Sequence, residues 1–103
     1  MRNVDPTQAR AVREAAARLA RLRPGKAIEL RIPPYAAVQL GAGEAFNVPG
    51  PVHRRGTPPT VVETDPATFL ALVNGELTWA DALKNHQVSA SGTHADLSEL
   101  FGS

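Results

Sequence analysis

The stretch VVETDPATFLALVNGELTWADALKNHQVSASGTHADLSELF, residues 61–101, decides the fold. Val61 to Thr64 reads as a short strand running straight into Asp65-Pro66. An acidic cap acceptor followed by proline at the first helical position is a helix start. Phe69, Leu70, Leu72 and Val73 then give a wide apolar surface over two turns, and Asn74-Gly75 fits a left-handed stop. Thr78 with Asp81 has the spacing of a capping box, with aspartate in place of glutamate, and Trp79, Ala82 and Leu83 are expected to face inward. Gln87 to Ser91 alternates, with Val88 and Ala90 on one side and Ser89 and Ser91 on the other. Thr93 with Asp96 repeats the box, and Leu97, Leu100 and Phe101 form a last buried ridge. The stretch carries no obvious reaction centre, so its apolar faces either make a core or enclose an apolar guest.

Upstream, Asp5-Pro6 gives the same start signal as Asp65-Pro66. The run to Arg23 is rich in good helix formers, with Ala9, Val12, Ala16, Leu19 and Ala20 on one thin, alanine-heavy stripe. Pro24-Gly25 stops it. In AIELRI, Ile28, Leu30 and Ile32 share one face, with Glu29 and Arg31 on the other, which is a half-wet strand. Pro33-Pro34 breaks that strand, and residues 36–40 alternate again. Residues 41–59 are loop-rich, with a short strand read at Val52 to Arg54. The order is helix, three or four strands, two helices, strand, helix. It predicts an α+β domain: an about five-stranded, mostly antiparallel sheet, its first strands a meander, layered with helices on one face. The whole chain, 1–103, reads as one domain: an N-terminal helix (1–24), a strand meander (26–64), then helix-helix-strand-helix (65–101).

The totals narrow the function. With 103 residues, 43% hydrophobic and 20% charged, the chain is one ordinary globular domain with room for a single core. A net charge of +1 is too balanced to argue for nucleic acid or an anionic membrane surface. The absence of cysteine excludes disulfides, thiolate catalysis and cysteine-based zinc sites. No apolar run is long enough to span a bilayer and the N-terminus has no signal-peptide core, so a soluble, cytoplasmic protein is expected.

Catalytic constellations are weak. Glu63 and Asp65 would share a strand face, but capping explains Asp65, as it explains Asp5, Asp81 and Asp96. His53, His86 and His94 lack metal-ligand spacing. Ser89 and Ser91 sit in SASG, which lacks a nucleophile-elbow frame, and GAGEAF (41–46) lacks the endings of phosphate-binding loops. No enzyme activity and no cofactor or metal are expected. His53-Arg54-Arg55 is the one local cationic cluster, and Arg54 and Arg55 could anchor an anionic headgroup.

The C-terminal segment resembles the bacterial branch of the sterol carrier protein family. Asp65, Phe69, Leu72, Gly75, Leu77, Ala82, Val88, Gly92, Leu97 and Leu100 carry the likeness, and RRGTPPTVVETD (54–65) extends it upstream. Two places depart from the pattern: Asn85-His86 stands where a glycine usually introduces the strand, and Thr93 where aspartate often follows Gly92. The resemblance implies a five-stranded sheet layered with helices around an apolar tunnel that carries fatty-acyl lipids or sterol-like molecules without catalysis. By position, Phe69, Leu72, Val73, Trp79, Leu83, Leu97, Leu100 and Phe101 would border that tunnel. The alternative is an interaction module, a homodimer for instance, using the same apolar helical face.

Overall fold

The computed structural model describes residues 5–41, 60–91 and 97–101. Its elements are α1 (Pro6–Leu22), β1 (Ile28–Ile32), β2 (Ala36–Leu40), β3 (Thr60–Thr64), α2 (Pro66–Val73), α3 (Trp79–Lys84), β4 (Val88–Ser91) and α4 (Ser98–Phe101). Three helix starts have the expected cause, while the Thr93–Asp96 box read ahead of α4 lies outside the described residues. Asp5 Oδ1 accepts from the backbone N–H groups of Thr7 and Gln8 at 3.0 and 3.2 Å. Asp65 Oδ1 accepts from the Thr68 N–H at 2.8 Å while its Oδ2 accepts from the Thr68 hydroxyl at 2.9 Å. Thr78 Oγ1 accepts from the Asp81 N–H at 3.0 Å, the forward bond of its capping box.

Among the described residues the sheet is open and four-stranded, in the order β2-β1-β3-β4. The outer pairs are antiparallel, Leu30 facing Val38 and Val62 facing Ala90. The central pair is parallel, with Leu30 beside Val62. The fold class therefore stands as α+β, with two corrections. The sheet is mixed, not a simple meander, and the described part has four strands; the strand read at Val52 to Arg54 lies outside the described residues. Period-two patterning fixes which face a strand buries, not the side of the sheet on which it is added. The chain leaves β2 at the end of the sheet where β1 begins, then starts β3 there on the other flank of β1. β3 must consequently run the same way as β1.

That corner depends on glycine. The Gly41 N–H donates to the Arg23 carbonyl at 2.7 Å, and a Cβ on Gly41 would sit 2.3 Å from the Pro24 carbonyl oxygen. Only a bare α-carbon allows the exit of β2 to pass so close to the turn after α1.

One sheet face is dry and the other wet. Ile28, Leu30, Ile32, Leu40, Val62 and Val88 are buried against Val12, Ala16 and Leu19 of α1 and Phe69 and Leu72 of α2, forming one core. The opposite face exposes Arg31, Ala37, Gln39, Glu63, Ser89 and Ser91. There the Arg31 Nε and Nη2 donate to the two carboxylate oxygens of Glu29 at 3.0 and 3.3 Å. That hydrogen bond, followed by the Glu29 charge, raises the guanidinium pKa above its ordinary value. Such an exposed pair keeps the face solvated and adds little stability. The far end of α1 is tied down separately: the Tyr35 hydroxyl accepts from the Asp5 N–H at 3.2 Å, and Arg13 Nε donates to the Tyr35 carbonyl at 3.3 Å.

Helices α2 and α3 close in the same way. After α2, Gly75 N–H donates to Leu72 O and Glu76 N–H to Ala71 O, at 3.2 and 2.9 Å. After α3, His86 N–H donates to Leu83 O and Gln87 N–H to Ala82 O, at 3.1 and 2.8 Å. Both are Schellman closures, which need a left-handed residue. Gly75 supplies it at φ +77°, and His86 takes the same role at φ +59°.

Candidate functional site

Helix α2, PATFLALV, has no charged residue and only one polar side chain, Thr68. A helix this apolar must be covered on most sides. Its buried row is Thr68, Phe69 and Leu72, while Leu70 and Val73 are half-buried against the core. Thr68 is accommodated because its hydroxyl is spent on Asp65. From α3, Trp79 and Ala82 turn inward. From α4, Leu97 just before the helix and Phe101 at its end are buried, one turn apart, and Leu100 is half-buried.

Three rings knit these helices together. Phe101 meets Phe69 edge-to-face, centroids 6.3 Å apart and planes at 88°. It also stacks on Trp79 at 6.1 Å and 21°. Phe101 is thus the shared member, and ring pairs of these geometries add about 0.5–1.5 kcal/mol each beyond area burial. The structure brings Phe69, Leu72, Trp79, Leu97 and Phe101 into the same core, with Val73 and Leu100 on its margin.

Leu83 does not join them. It is 41% exposed, which corrects the inward placement read from the sequence. The buried row of α3 runs through Trp79 and Ala82, and the chain turns away at Asn85-His86 within one turn. Leu83 is left on the rim. Leu70 and Leu77, which the sequence did not single out as site residues, pack half-buried against the core. The signal for Leu70 was its place in an all-apolar helix, and for Leu77 its place just past the Gly75 stop. Arg54 and Arg55, with His53 and His94, lie outside the described residues.

Among the described residues, three surface hollows lie elsewhere, and these three are not bordered by the eight tunnel candidates. One of about 380 Å³ runs along α1 past Pro6, Ala9, Arg10, Arg13 and Glu14. Another of about 380 Å³ lies beside Pro33, Pro34 and Tyr35. A third, about 230 Å³, is lined by Glu63, Asp65, His86 and neighbours. Its Asp65 carboxylate is already committed to Thr68. Among the described residues no three histidine or acidic side chains gather as a metal site, and no helix is long and apolar enough to cross a membrane.

The element order, the mixed sheet and the apolar α2–α3–α4 layer together frame the comparison with known families. A family model described as a bacterial SCP ortholog matches residues 5–102. The chain belongs to that family. The likeness read from residues 54–101 thus extends through α1 and the first strands of this SCP ortholog. No curated protein matches it. At Asn85-His86, read above as a departure from the family pattern, the backbone passes through a left-handed position that His86 occupies.

Proposed function

We propose that this SCP ortholog binds an apolar ligand, a fatty-acyl lipid or sterol-like molecule, reversibly and without catalysis. The observation that carries this reading is the match to the bacterial SCP ortholog family over nearly the whole chain. The proposed site is the seam where α4 meets α2 and α3, because apolar side chains stand there at every depth. Phe69 and Leu72 are at its floor, Val73, Leu77 and Leu100 are half-buried, and Leu83 is at the rim. Burying an acyl chain against them would yield about 25 cal/mol per Å² of apolar surface removed from water. In the described structure Phe101 fills the seam, so the ligand takes the volume of that ring as the four-residue α4 shifts outward. Turnover is not part of the reading: Asp5 and Asp65, two of the carboxylates an acid/base pair could draw on, are held as helix caps.

The test is titration with a fluorescent fatty acid, alongside native mass spectrometry for a co-purified lipid. Leu72→Arg should abolish uptake. Phe101→Ala should cost about 3–5 kcal/mol of stability as a truncated core aromatic, yet raise the affinity for ligand by vacating its place. Uptake that is absent in the wild type and in Phe101→Ala would defeat the proposal. The exposure of Leu83 favours a second reading, a self-association face, which gel filtration of wild type against Leu83→Gln would detect as a change of mass.

A further inference from the structure

The net charge of +1 hides a strong partition. Residues 6–26 carry six of the eleven Lys and Arg side chains and one of the ten acidic ones, so this segment is +5. Residues 60–91 carry four acidic side chains, Glu63, Asp65, Glu76 and Asp81, and one cation, Lys84, so that segment is −3. The helices turn both charges outward. The inner stripe of α1 is buried, while Arg10, Arg13, Arg18 and Arg21 are exposed. Arg10 with Arg13, and Arg18 with Arg21, are like-charge neighbours three apart, which opposes helix formation, and Glu14 is the single acid among them. Glu76 and Asp81, before and within α3, are exposed in turn, while Trp79 and Ala82 are buried. Among the described residues two large apolar side chains stand exposed, Leu22 at 65% and Leu83 at 41%. Leu22 ends the cationic helix, and Leu83 lies in the acidic segment.

We infer that the outer face of α1 docks on the α2–α3 turn of a second copy of this chain, Arg18 and Arg21 facing Glu76 and Asp81, and Leu22 meeting Leu83. One exposed leucine is set in positive charge and the other in negative. A polyanion would take the cationic face and leave Leu83 and the acidic side chains uncovered. A second copy covers both surfaces at once, which selects it as the partner. Helices α1 and α3 bury their inner faces in the same core, on the dry side of the sheet, so their outer faces stand on the helical side of the molecule. A twofold pair then makes the contact twice and closes, as isologous contacts do. Charge orients the two copies and speeds their encounter, and the leucines, taken out of water, hold the pair. Tyr35, bonded to Asp5 and Arg13, holds α1 in place as the docking surface. The contact rests on the self-association reading of Leu83, names the surface that covers that leucine, and is independent of ligand binding.

The test is sedimentation equilibrium of the full chain over a concentration series, at low and high salt. The mass should rise from 10.9 kDa toward that of a dimer at low salt, and the rise should weaken as salt screens the charges. Arg18→Glu/Arg21→Glu places like charges opposite each other and should weaken association roughly a hundredfold, as should Glu76→Lys/Asp81→Lys. The chain with all four reversals keeps the net charge of +1 and restores the opposition of signs, so its association should return to within about threefold of wild type. Leu22→Gln and Leu83→Gln should each weaken it roughly tenfold by removing an apolar contact. A wild type that stays at 10.9 kDa throughout would overturn the contact together with the self-association reading. Association that is lost in Leu83→Gln but unchanged in the arginine pair would overturn the contact alone. So would a quadruple variant that remains monomeric.

Discussion

Helices α1 and α2 begin with the same two residues, aspartate and proline, and do opposite work. Helix α1 spends 17 residues to bury a thin stripe of mostly alanine, and shows the solvent a row of arginines. Helix α2 spends 8 residues, none charged, to bury Phe69 and Leu72 and to half-bury its remaining large side chains. The cap sets where a helix starts, and the side-chain volumes set what it is for. Small residues let α1 lie close on β2 and α2 as a brace. Large ones make α2, with α3 and α4, the thick apolar layer in which a cavity could open.

The largest test of this contrast is truncation at its two centres. Phe69 is fully buried and contacts Phe101 edge-to-face. Phe69→Ala should cost about 3–5 kcal/mol in urea unfolding, a large share of the roughly 5–15 kcal/mol typical of a domain. Val12, equally buried in α1, loses only two methyl groups on Val12→Ala and should cost about 1–2 kcal/mol. Equal losses would mean that the two helices share the core evenly, and the division of labour would fall.

The caps sharpen the same comparison at smaller scale. Asp5 is exposed and holds two exposed N–H groups, so Asp5→Ala should cost about 1 kcal/mol. Asp65 holds the Thr68 N–H and also its hydroxyl, and Thr68 is buried. Asp65→Ala strands that hydroxyl and should cost about 2–3 kcal/mol. Asp65→Ala/Thr68→Val should recover part of the loss, because the buried polar group leaves with its partner. Thermal melts of the three variants check the order, and no recovery in the double variant would show that Thr68 is not the reason.

Much of this was legible in the chain. Asp5-Pro6, Asp65-Pro66 and Thr78 marked three helix starts because caps act within a few residues of themselves. Ile28, Leu30 and Ile32 marked a half-buried strand because pleating has a fixed period. What stayed hidden is what the sheet and the tertiary packing decide. The parallel alignment of β1 with β3 follows from which flank of β1 the chain returns to, and no local pattern encodes that. The meeting of Phe69, Trp79 and Phe101 spans thirty-two positions of chain, beyond the reach of periodicity. Leu83 fell on the wrong side because a helix of six residues is too short for its spacing to fix a face. The arginine row on α1 was present in the letters but vanished into a total.

His86 offers the smallest and cleanest test. Helices α2 and α3 end in matching Schellman closures, one on Gly75 and the other on His86. At φ +59° the histidine Cβ crowds its own backbone, a cost of about 1–2 kcal/mol that glycine escapes. Glycine also loses more backbone entropy on folding, roughly 0.5–1 kcal/mol. The difference leaves His86→Gly more stable by about 0.5–1 kcal/mol, a rise of several degrees in melting temperature for a domain this size. Gly75→Ala makes the reverse substitution at φ +77°: its Cβ would meet no other atom within 4 Å, so any loss there is backbone strain alone. Should Gly75→Ala fall by about 1 kcal/mol while His86→Gly gains nothing, the histidine side chain must be recovering its strain through contacts of its own. The rim of the hollow it shares with Glu63 and Asp65 is where to look for them.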